Sequence, residues 1–162
     1  MPEPDLDIVA LGSAIVDAIA SADDDTVAAH GLAKGTMALI DAERAEQLYA
    51  AMGPAVEVSG GSAANTVAGV ASFGGAAGFV GKVRDDQLGA VFAHDIRSAG
   101  VVYDTPPATT GEPTARCLVL VTPDGERTMS TFLGAATGLA AADVDEALIE
   151  RSRITYLEGY LW

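Results

Sequence analysis

The sequence predicts an α/β protein with a largely parallel sheet, and three observations support this prediction. Short apolar runs alternate with amphipathic helical patterns along the 162 residues. The helical patterns begin after an aspartate or a glycine pair, and most of them end at glycine or proline. A hairpin signal, Thr122-Pro123-Asp124-Gly125, joins two predicted strands and does not fit a purely parallel sheet. We therefore expect a doubly wound main sheet with a small second sheet beside it.

The first third of the chain contains three predicted strands and one predicted helix. The strands have apolar or alternating residues, and the helix has apolar residues at i, i+3, i+4 and i+7. Asp41 can cap this helix and Pro54 stops it, whereas the aspartates and glycines of residues 21–36 indicate a loop. In chain order the predictions are a strand over 7–11, an extended piece over 14–20, a loop over 21–36, a helix over 42–52 and a strand over 56–58.

The rest of the chain repeats the alternation and ends in a strand. A helix that starts at Asp85 or Asp86 carries the apolar stripe Leu88, Val91, Phe92 and Ile96. Trp162 directly follows the last strand, where a doubly wound sheet normally continues with a covering helix, so we expect the fold to be interrupted there. The other predictions are helices over 62–73 and 142–151, a loop over 104–113, and strands over 78–83, 116–121, 127–133 and 154–160.

The charge of the chain excludes some partners. The sequence has 9 Lys+Arg against 23 Asp+Glu, a formal net charge of −14, which disfavours nucleic acids and anionic membranes. The acidic N-terminus lacks the basic region of a signal peptide, and no apolar stretch is long enough to span a bilayer. The single cysteine, Cys117, lies in an apolar run and is expected to be a buried thiol. We expect a cytoplasmic protein.

Two phosphate-binding motifs and the usual metal motifs are absent from the sequence. Gly81-Lys82 does not complete a phosphate loop, because Ala76 and Val83 stand at its first and last positions. The turn after the first strand has Gly12 where a dinucleotide fingerprint needs three glycines. No H-E-x-x-H motif and no Cys/His cluster occurs, so we expect no metal site built from protein ligands.

The candidate site begins at Gly60 and Gly61, a glycine pair between a predicted strand and a predicted helix. Two glycines let the backbone approach a ligand, and the first N–H groups of the helix have no helical partner. Asn65 lies in the first turn, and its amide can donate to and accept from a hydroxyl. A tight turn that allows close packing of the helix on the sheet explains the glycines equally well.

Two carboxylates in apolar surroundings add to this candidate site. Asp17 interrupts the apolar stretch 14–20, and Glu158 stands at the carboxyl end of the last strand. A carboxylate in such a place needs a partner, and vicinal hydroxyls of a sugar suit it because it accepts from two O–H groups. Asp17 would instead be solvated if its strand were half exposed.

Taken together, these residues resemble the PfkB, or ribokinase-like, family of carbohydrate and nucleoside kinases. The resemblance extends from Asp7 to the end, and its most specific part is Gly60-Gly61-Ser62-Ala63-Ala64-Asn65, followed by the stretch from Phe79 to Gly89. The segment 21–55, with its own helix, is similar to the adenosine kinase branch. The resemblance implies a three-layer α/β/α sandwich with a β-sheet lid, whose strands are those near 14–20, 56–58 and 114–133.

The resemblance also implies roles for individual residues. Asp17, Gly60, Gly61 and Asn65 would hold the hydroxyl groups of the substrate, and Glu158 would provide another substrate contact. In the adenosine kinase branch an arginine after the hairpin turn can reach the phosphates, and this position is Arg127 here. The lid sheet serves as a dimer interface in some relatives, so a homodimer through the lid is a further expectation.

The family's second signature, D-T-x-G-A-G-D, does not occur in these 162 residues, and neither does its Asn-x-x-Glu motif. These motifs supply the anion hole, the aspartate that acts as base, and the contacts to magnesium and phosphate. We therefore expect residues 1–162 to be the N-terminal part of one kinase domain, without catalytic residues and inactive alone; ATP and Mg²⁺ are expected for the complete enzyme. A non-catalytic sugar- or nucleoside-binding protein, and an α/β domain with another ligand, remain as alternatives.

Overall fold

A computed structural model describes residues 4–161, which form two separate β-sheets with five α-helices around them. The first sheet has the order β6-β5-β1-β9 and is entirely parallel, and we call it the core sheet. The second sheet has the order β3-β8-β7-β2-β4 and is mixed, and we call it the lid sheet. The strands are β1 Leu6–Leu11, β2 Ile15–Ser21, β3 Met37–Leu39, β4 Val56–Gly60, β5 Ala77–Val80, β6 Val101–Val102, β7 Ala115–Val121, β8 Arg127–Phe132 and β9 Ser152–Leu157.

Four of the five helices begin at an aspartate whose side chain accepts a hydrogen bond from the first helical turn. These aspartates are Asp23, Asp41, Asp86 and Asp145. Because the first N–H groups of a helix have no partner within it, each carboxylate stabilises the start of its helix. The helices are α1 Asp24–Ala29, α2 Ala42–Ala51, α3 Ser62–Ser72, α4 Gln87–Ser98 and α5 Glu146–Glu150. The third helix begins instead after Gly61.

Apolar cores on both faces of the core sheet give three layers. On one face α3 and α4 bury a cluster around Phe79, Phe92 and Tyr103, whose rings lie 5.3–5.9 Å apart between centroids. On the other face Leu148 of α5 packs with Val9 of β1. Parallel strands need both faces covered, and this arrangement confirms the predicted α/β/α sandwich.

The lid sheet has one covered face and one open face. On the covered face Ala18 and Leu118 pack against Leu48 of α2, and a neighbouring cluster includes Val27 of α1. Large apolar side chains on β2, β3 and β4 of this sheet are exposed: Ile19, Met37, Leu39 and Val56. The predicted lid strands near 14–20, 56–58, 116–121 and 127–133 correspond to β2, β4, β7 and β8.

Several predicted boundaries were wrong, mostly where elements are short. The segment 21–36 was predicted as a loop, but it contains α1, whose six residues are too few to show a helical period. The strands β3 and β6 have three and two residues and were missed. The helix predicted over 142–151 is a 3₁₀ turn, Ala141–Asp143, followed by α5, and the strand predicted over 154–160 is β9, Ser152–Leu157. Trp162 lies outside the described residues.

No helix within residues 4–161 combines the length and the apolar character that a membrane crossing requires.

Candidate functional site

Two of the four crossings between the core sheet and the lid sheet lie next to each other. The chain passes from β1 to β2 through residues 12–14, and it returns from β4 to α3 through Gly61. The crossings lie side by side because β2 and β4 pair antiparallel, with Ile15 opposite Gly60. A Cβ atom at Gly61, whose φ is 101°, would lie 2.3 Å from the carbonyl oxygen of Ser13. Only glycine fits this contact, and we call residues 12–14 and 60–63 the junction.

The carboxylate of Asp17 lies directly against the backbone of Gly60. A Cβ atom added to Gly60 would lie 2.3 Å from Oδ2 and 2.6 Å from Oδ1 of Asp17. The glycine therefore makes room for the carboxylate, and the structure brings together two of the residues that the sequence singled out. Asp17 pairs with Val58 on one side and Cys117 on the other, so it stands on an interior strand of the lid sheet, next to the edge strand β4.

Asp17 is a carboxylate with little protein stabilisation. Within the described part of the chain, no side chain or backbone group donates a hydrogen bond to it. Burial raises the pKa of Asp17 to about 6, and the positive charge of Arg127 opposes this shift. Because desolvation disfavours the ionised form, a ligand that donates hydrogen bonds to this carboxylate would relieve that cost.

Arg127 lies on the same face of the lid sheet as Asp17. Arg127 is the first residue of β8, and Arg127, Met129 and Thr131 lie on the same face of that strand. Thr131 pairs with Cys117 of β7, and Cys117 pairs with Asp17 of β2, so these residues share that face. The side chain of Arg127 is exposed to solvent. An exposed guanidinium within electrostatic range of a half-buried carboxylate is free to contact an anionic group of a ligand.

Asn65 and the first turn of α3 lie beside Gly61. The backbone N–H of Asn65 donates to the carbonyl oxygen of Gly61 at 2.8 Å, and the side chain of Asn65 is exposed. Not all early N–H groups of α3 are open to a ligand, since that of Ala63 already donates to Glu158. The exposed amide of Asn65 remains available to a hydroxyl group.

Glu158 lies at the same junction, but its carboxylate already has protein partners. Oε1 accepts from the N–H of Ser13 at 2.6 Å, and Oε2 accepts from Ser62 Oγ at 2.9 Å and from the N–H of Ala63 at 3.0 Å. The side chain is buried, with 5% of the residue exposed. The predicted substrate contact of Glu158 stays a prediction, and these bonds give the residue a structural task.

Sequence reasoning missed three residues that support the site. Ser13 and Ser62 donate to Glu158, and Oδ2 of Asp95 in α4 accepts from the N–H of Ser59 at 2.6 Å, just before the glycine pair. The position of Ser13 after Gly12, at the end of the first strand, was the available signal for that residue. Asp95 had no signal, because a polar residue on an amphipathic helix ordinarily faces solvent.

Asp86, three residues before Gly89, has a structural role. Asp86 accepts hydrogen bonds from the N–H of Gly89 at 2.8 Å, and from the N–H and Oγ1 of Thr114 at 2.9 and 2.7 Å. It thereby caps α4 and fixes the segment that enters β7. This part of the sequence stabilises the frame around the site. Among residues 4–161, no group of three or more His, Cys, Asp or Glu side chains is placed to hold a metal ion.

The fold and the junction define a class of α/β protein in which a lid sheet is joined to a three-layer core at a glycine pair. The family model of the pfkB family carbohydrate kinases matches residues 5–162. The chain belongs to this family.

Solved structures with the same fold include kinases of nucleosides and sugars. An adenosine kinase from Sinorhizobium meliloti is 55% identical, with a TM-score of 0.90 over 97% of this chain and 48% of that one. A probable sugar kinase from Rhizobium etli CFN 42 is 50% identical, with a TM-score of 0.91 over 98% of this chain and 48% of that one. The chain therefore spans about half the length of these solved relatives.

The curated relatives include plant fructokinases. Fructokinase-1 from Oryza sativa subsp. japonica is 35% identical over 106 residues, which are 61% of this chain and 31% of that protein. The relatives are thus named as a fructokinase, an adenosine kinase and a probable sugar kinase.

Proposed function

We propose that this chain binds the acceptor substrate of an ATP-dependent kinase that phosphorylates a hydroxymethyl group, and that this substrate is a nucleoside of the adenosine type. The observation that carries the proposal is the carboxylate of Asp17, which is half buried against Gly60 and accepts no hydrogen bond from residues 4–161. One carboxylate accepts from two neighbouring O–H groups, and a ribose offers two vicinal hydroxyls. The exposed amide of Asn65 would bind a further hydroxyl.

The surroundings of Asp17 favour a nucleoside over a free sugar. Ile15 and Ile19 flank Asp17 on its own face of β2, and Val58 and Val56 lie opposite Asp17 and Ile19 on β4. Ile19 and Val56 are exposed, which leaves an apolar surface beside the carboxylate. A free sugar presents hydroxyls in every direction, whereas an aromatic base can cover such a surface. The 55% identity to an adenosine kinase agrees with this choice.

A homodimer in which the lid sheets pack face to face would need the same open face. The opposite face is already covered by α1 and α2. We therefore propose a ligand as the occupant of the open face, and a second copy of the chain is the competing outcome.

ATP with Mg²⁺ is the proposed phosphoryl donor, and Arg127 is the proposed phosphate contact. An exposed arginine suits phosphate oxygens because its N–H groups can bind two of them at once. Since the described residues form no metal cluster of their own, the ion would arrive on the nucleotide. Protein side chains around such an ion mainly position the phosphates and neutralise their charge. We propose a cytoplasmic location, where ATP is available.

Calorimetric titration of the 162-residue chain with adenosine, inosine, ribose and fructose tests the binding proposal. We expect adenosine to bind and the Asp17→Asn variant to lose about tenfold or more in affinity, the size expected for hydrogen bonds to a charged acceptor. Asp25→Asn, an exposed aspartate on α1, is the matched control and should leave the affinity unchanged. If none of the four compounds binds, the proposal is wrong.

A second measurement separates binding from turnover. Formation of ADP from ATP in the presence of adenosine would show phosphoryl transfer by the chain itself. Binding without ADP formation would favour the non-catalytic role among the alternatives.

A further inference from the structure

The carboxylate of Glu158 holds two of the four crossings that the described chain makes between the core sheet and the lid sheet. Its donors come from two segments that are distant in sequence: Ser13 lies between β1 and β2, whereas Ser62 and Ala63 begin α3 after β4. Glu158 itself belongs to the core, because its own N–H donates to the carbonyl oxygen of Leu11 at 3.3 Å at the end of β1. One core side chain thus bonds to the segment that leads from β1 into β2 and to the segment that leads from β4 into α3.

We propose that Glu158 is a positioning residue that fixes the angle and distance between the lid sheet and the core sheet. The role rests on the proposed function in one respect: Asp17 belongs to the lid and Asn65 to α3 of the core, so a ligand that touches both needs them at a fixed separation. Hydrogen bonds to a carboxylate are stronger than those to a neutral acceptor. Three of them at one point make the junction stiff.

The packing around Glu158 supports this role over a direct contact with substrate. A Cβ atom at Gly12 would lie 2.4 Å from Cδ of Glu158 and 2.7 Å from Cβ of Ala63. The backbone of Gly12 therefore fills the space beside the carboxylate, and only glycine can stand there. With both oxygens bonded and 5% of the residue exposed, Glu158 has little capacity left for a hydroxyl of a ligand.

Glutamine at position 158 is a sharp test because it keeps the size of the side chain. Its Nε2 group would face an N–H donor of Ser13 or Ala63, so at least one hydrogen bond must break. We expect amide exchange at Ser13, at Ala63 or at both to become about tenfold faster or more, with no change at Val80 in the core sheet. A general loss of stability would instead accelerate exchange at all three amides.

Spin labels measure the separation of the two sheets directly. Cysteines replacing Val56 on β4 and Phe73 after α3, in a Cys117→Ser background, place one label on the lid and one on the core. We expect a narrow distance distribution with Glu158 and a distribution at least about twice as wide in Glu158→Gln. Glu150→Gln on the exposed surface of α5 is the control, and it should leave the distribution narrow.

The outcomes distinguish this role from its competitors. In Glu158→Gln, an unchanged distribution of label distances together with protected amides at Ser13 and Ala63 would overturn the proposal. If the unlabelled Glu158→Gln variant then also loses affinity for adenosine, Glu158 is assigned to direct contact with the substrate. If adenosine does not bind at all, the proposed function fails, while the label distances still decide the role of Glu158. Should Glu158→Gln fail to fold, Ser62→Ala removes one donor and should widen the distribution to a smaller extent; no widening there counts against the proposal.

Discussion

Asp17 is the residue at which function and stability are in conflict. Burial raises its pKa from the ordinary value of 3.8 to about 6. The folded chain therefore binds this proton more tightly than the unfolded chain, and the contribution of Asp17 to stability is greatest below pH 3.8. It declines as the pH rises through the window from 3.8 to about 6, so that the ionised carboxylate is a cost at neutral pH.

Replacing Asp17 with asparagine should remove that cost. We expect Asp17→Asn to be more stable than the parent chain by about 1–2 kcal/mol near pH 7, allowing for partial exposure, and to show almost no gain near pH 4. Denaturant unfolding at both pH values measures the difference. Equal differences at the two pH values would show that Asp17 is not perturbed. A variant that gains stability and loses affinity for adenosine would identify a binding residue rather than a structural one.

Among the elements, α4 depends most on a single side chain. Asp86 accepts three hydrogen bonds, of which two come from Thr114, a residue that is 1% exposed. We expect Asp86→Ala to lower the free energy of unfolding by about 2–3 kcal/mol, because it removes the cap and leaves buried donors unpaired.

The helix α2 provides the matched control for that prediction. Asp41 is exposed and caps α2 through one hydrogen bond, which its Oδ1 accepts from the N–H of Arg44 at 2.8 Å. Asp41→Ala should therefore cost only about 1 kcal/mol. Thermal or denaturant unfolding of both variants compares them, and equal losses would refute the claim that Asp86 joins α4 to the lid.

At the scale of the whole molecule, β9 is an open edge of the core sheet. It pairs with β1 on one side, and no other strand within residues 4–161 pairs with it. Ile154, Tyr156 and Leu157 are exposed and lie on both faces of this strand. Parallel strands are ordinarily covered on both faces, and an exposed apolar edge is a template for pairing with another chain.

We therefore expect the 162-residue chain to associate with itself in a concentration-dependent way through β9. Ile154→Lys should shift the chain toward monomer in light scattering coupled to gel filtration, because a charge on an edge strand opposes pairing. Val56→Lys places the same charge on the open face of the lid sheet and should have a smaller effect. A larger effect of Val56→Lys would support the predicted homodimer through the lid.

Much of the frame could be predicted from the sequence because it follows from local rules. The apolar runs predicted β1, β2 and β7, and the hairpin signal predicted β8. Asp41 marked the start of α2, and the pair Asp85-Asp86 marked the start of α4. The spacing of Leu88, Phe92 and Ile96 predicted the buried stripe of α4, in which Phe92 and Ile96 are fully buried. The prediction missed the short elements α1, β3 and β6 because they have too few residues to show a helical or strand periodicity of apolar residues. Contacts with neighbouring elements hold them in place.

The sequence by itself determined that this chain has an α/β frame, a glycine pair at a strand-to-helix junction and a carboxylate in an apolar strand. Only the tertiary structure decided which groups meet there. The contact of Asp17 with Gly60 arises from the pairing of β2 with β4, and the bonds of Glu158 to Ser13 and Ala63 join residues far apart in sequence. Such contacts depend on the register of strands and the packing of sheets, to which distant parts of the chain contribute together, and no local pattern encodes them.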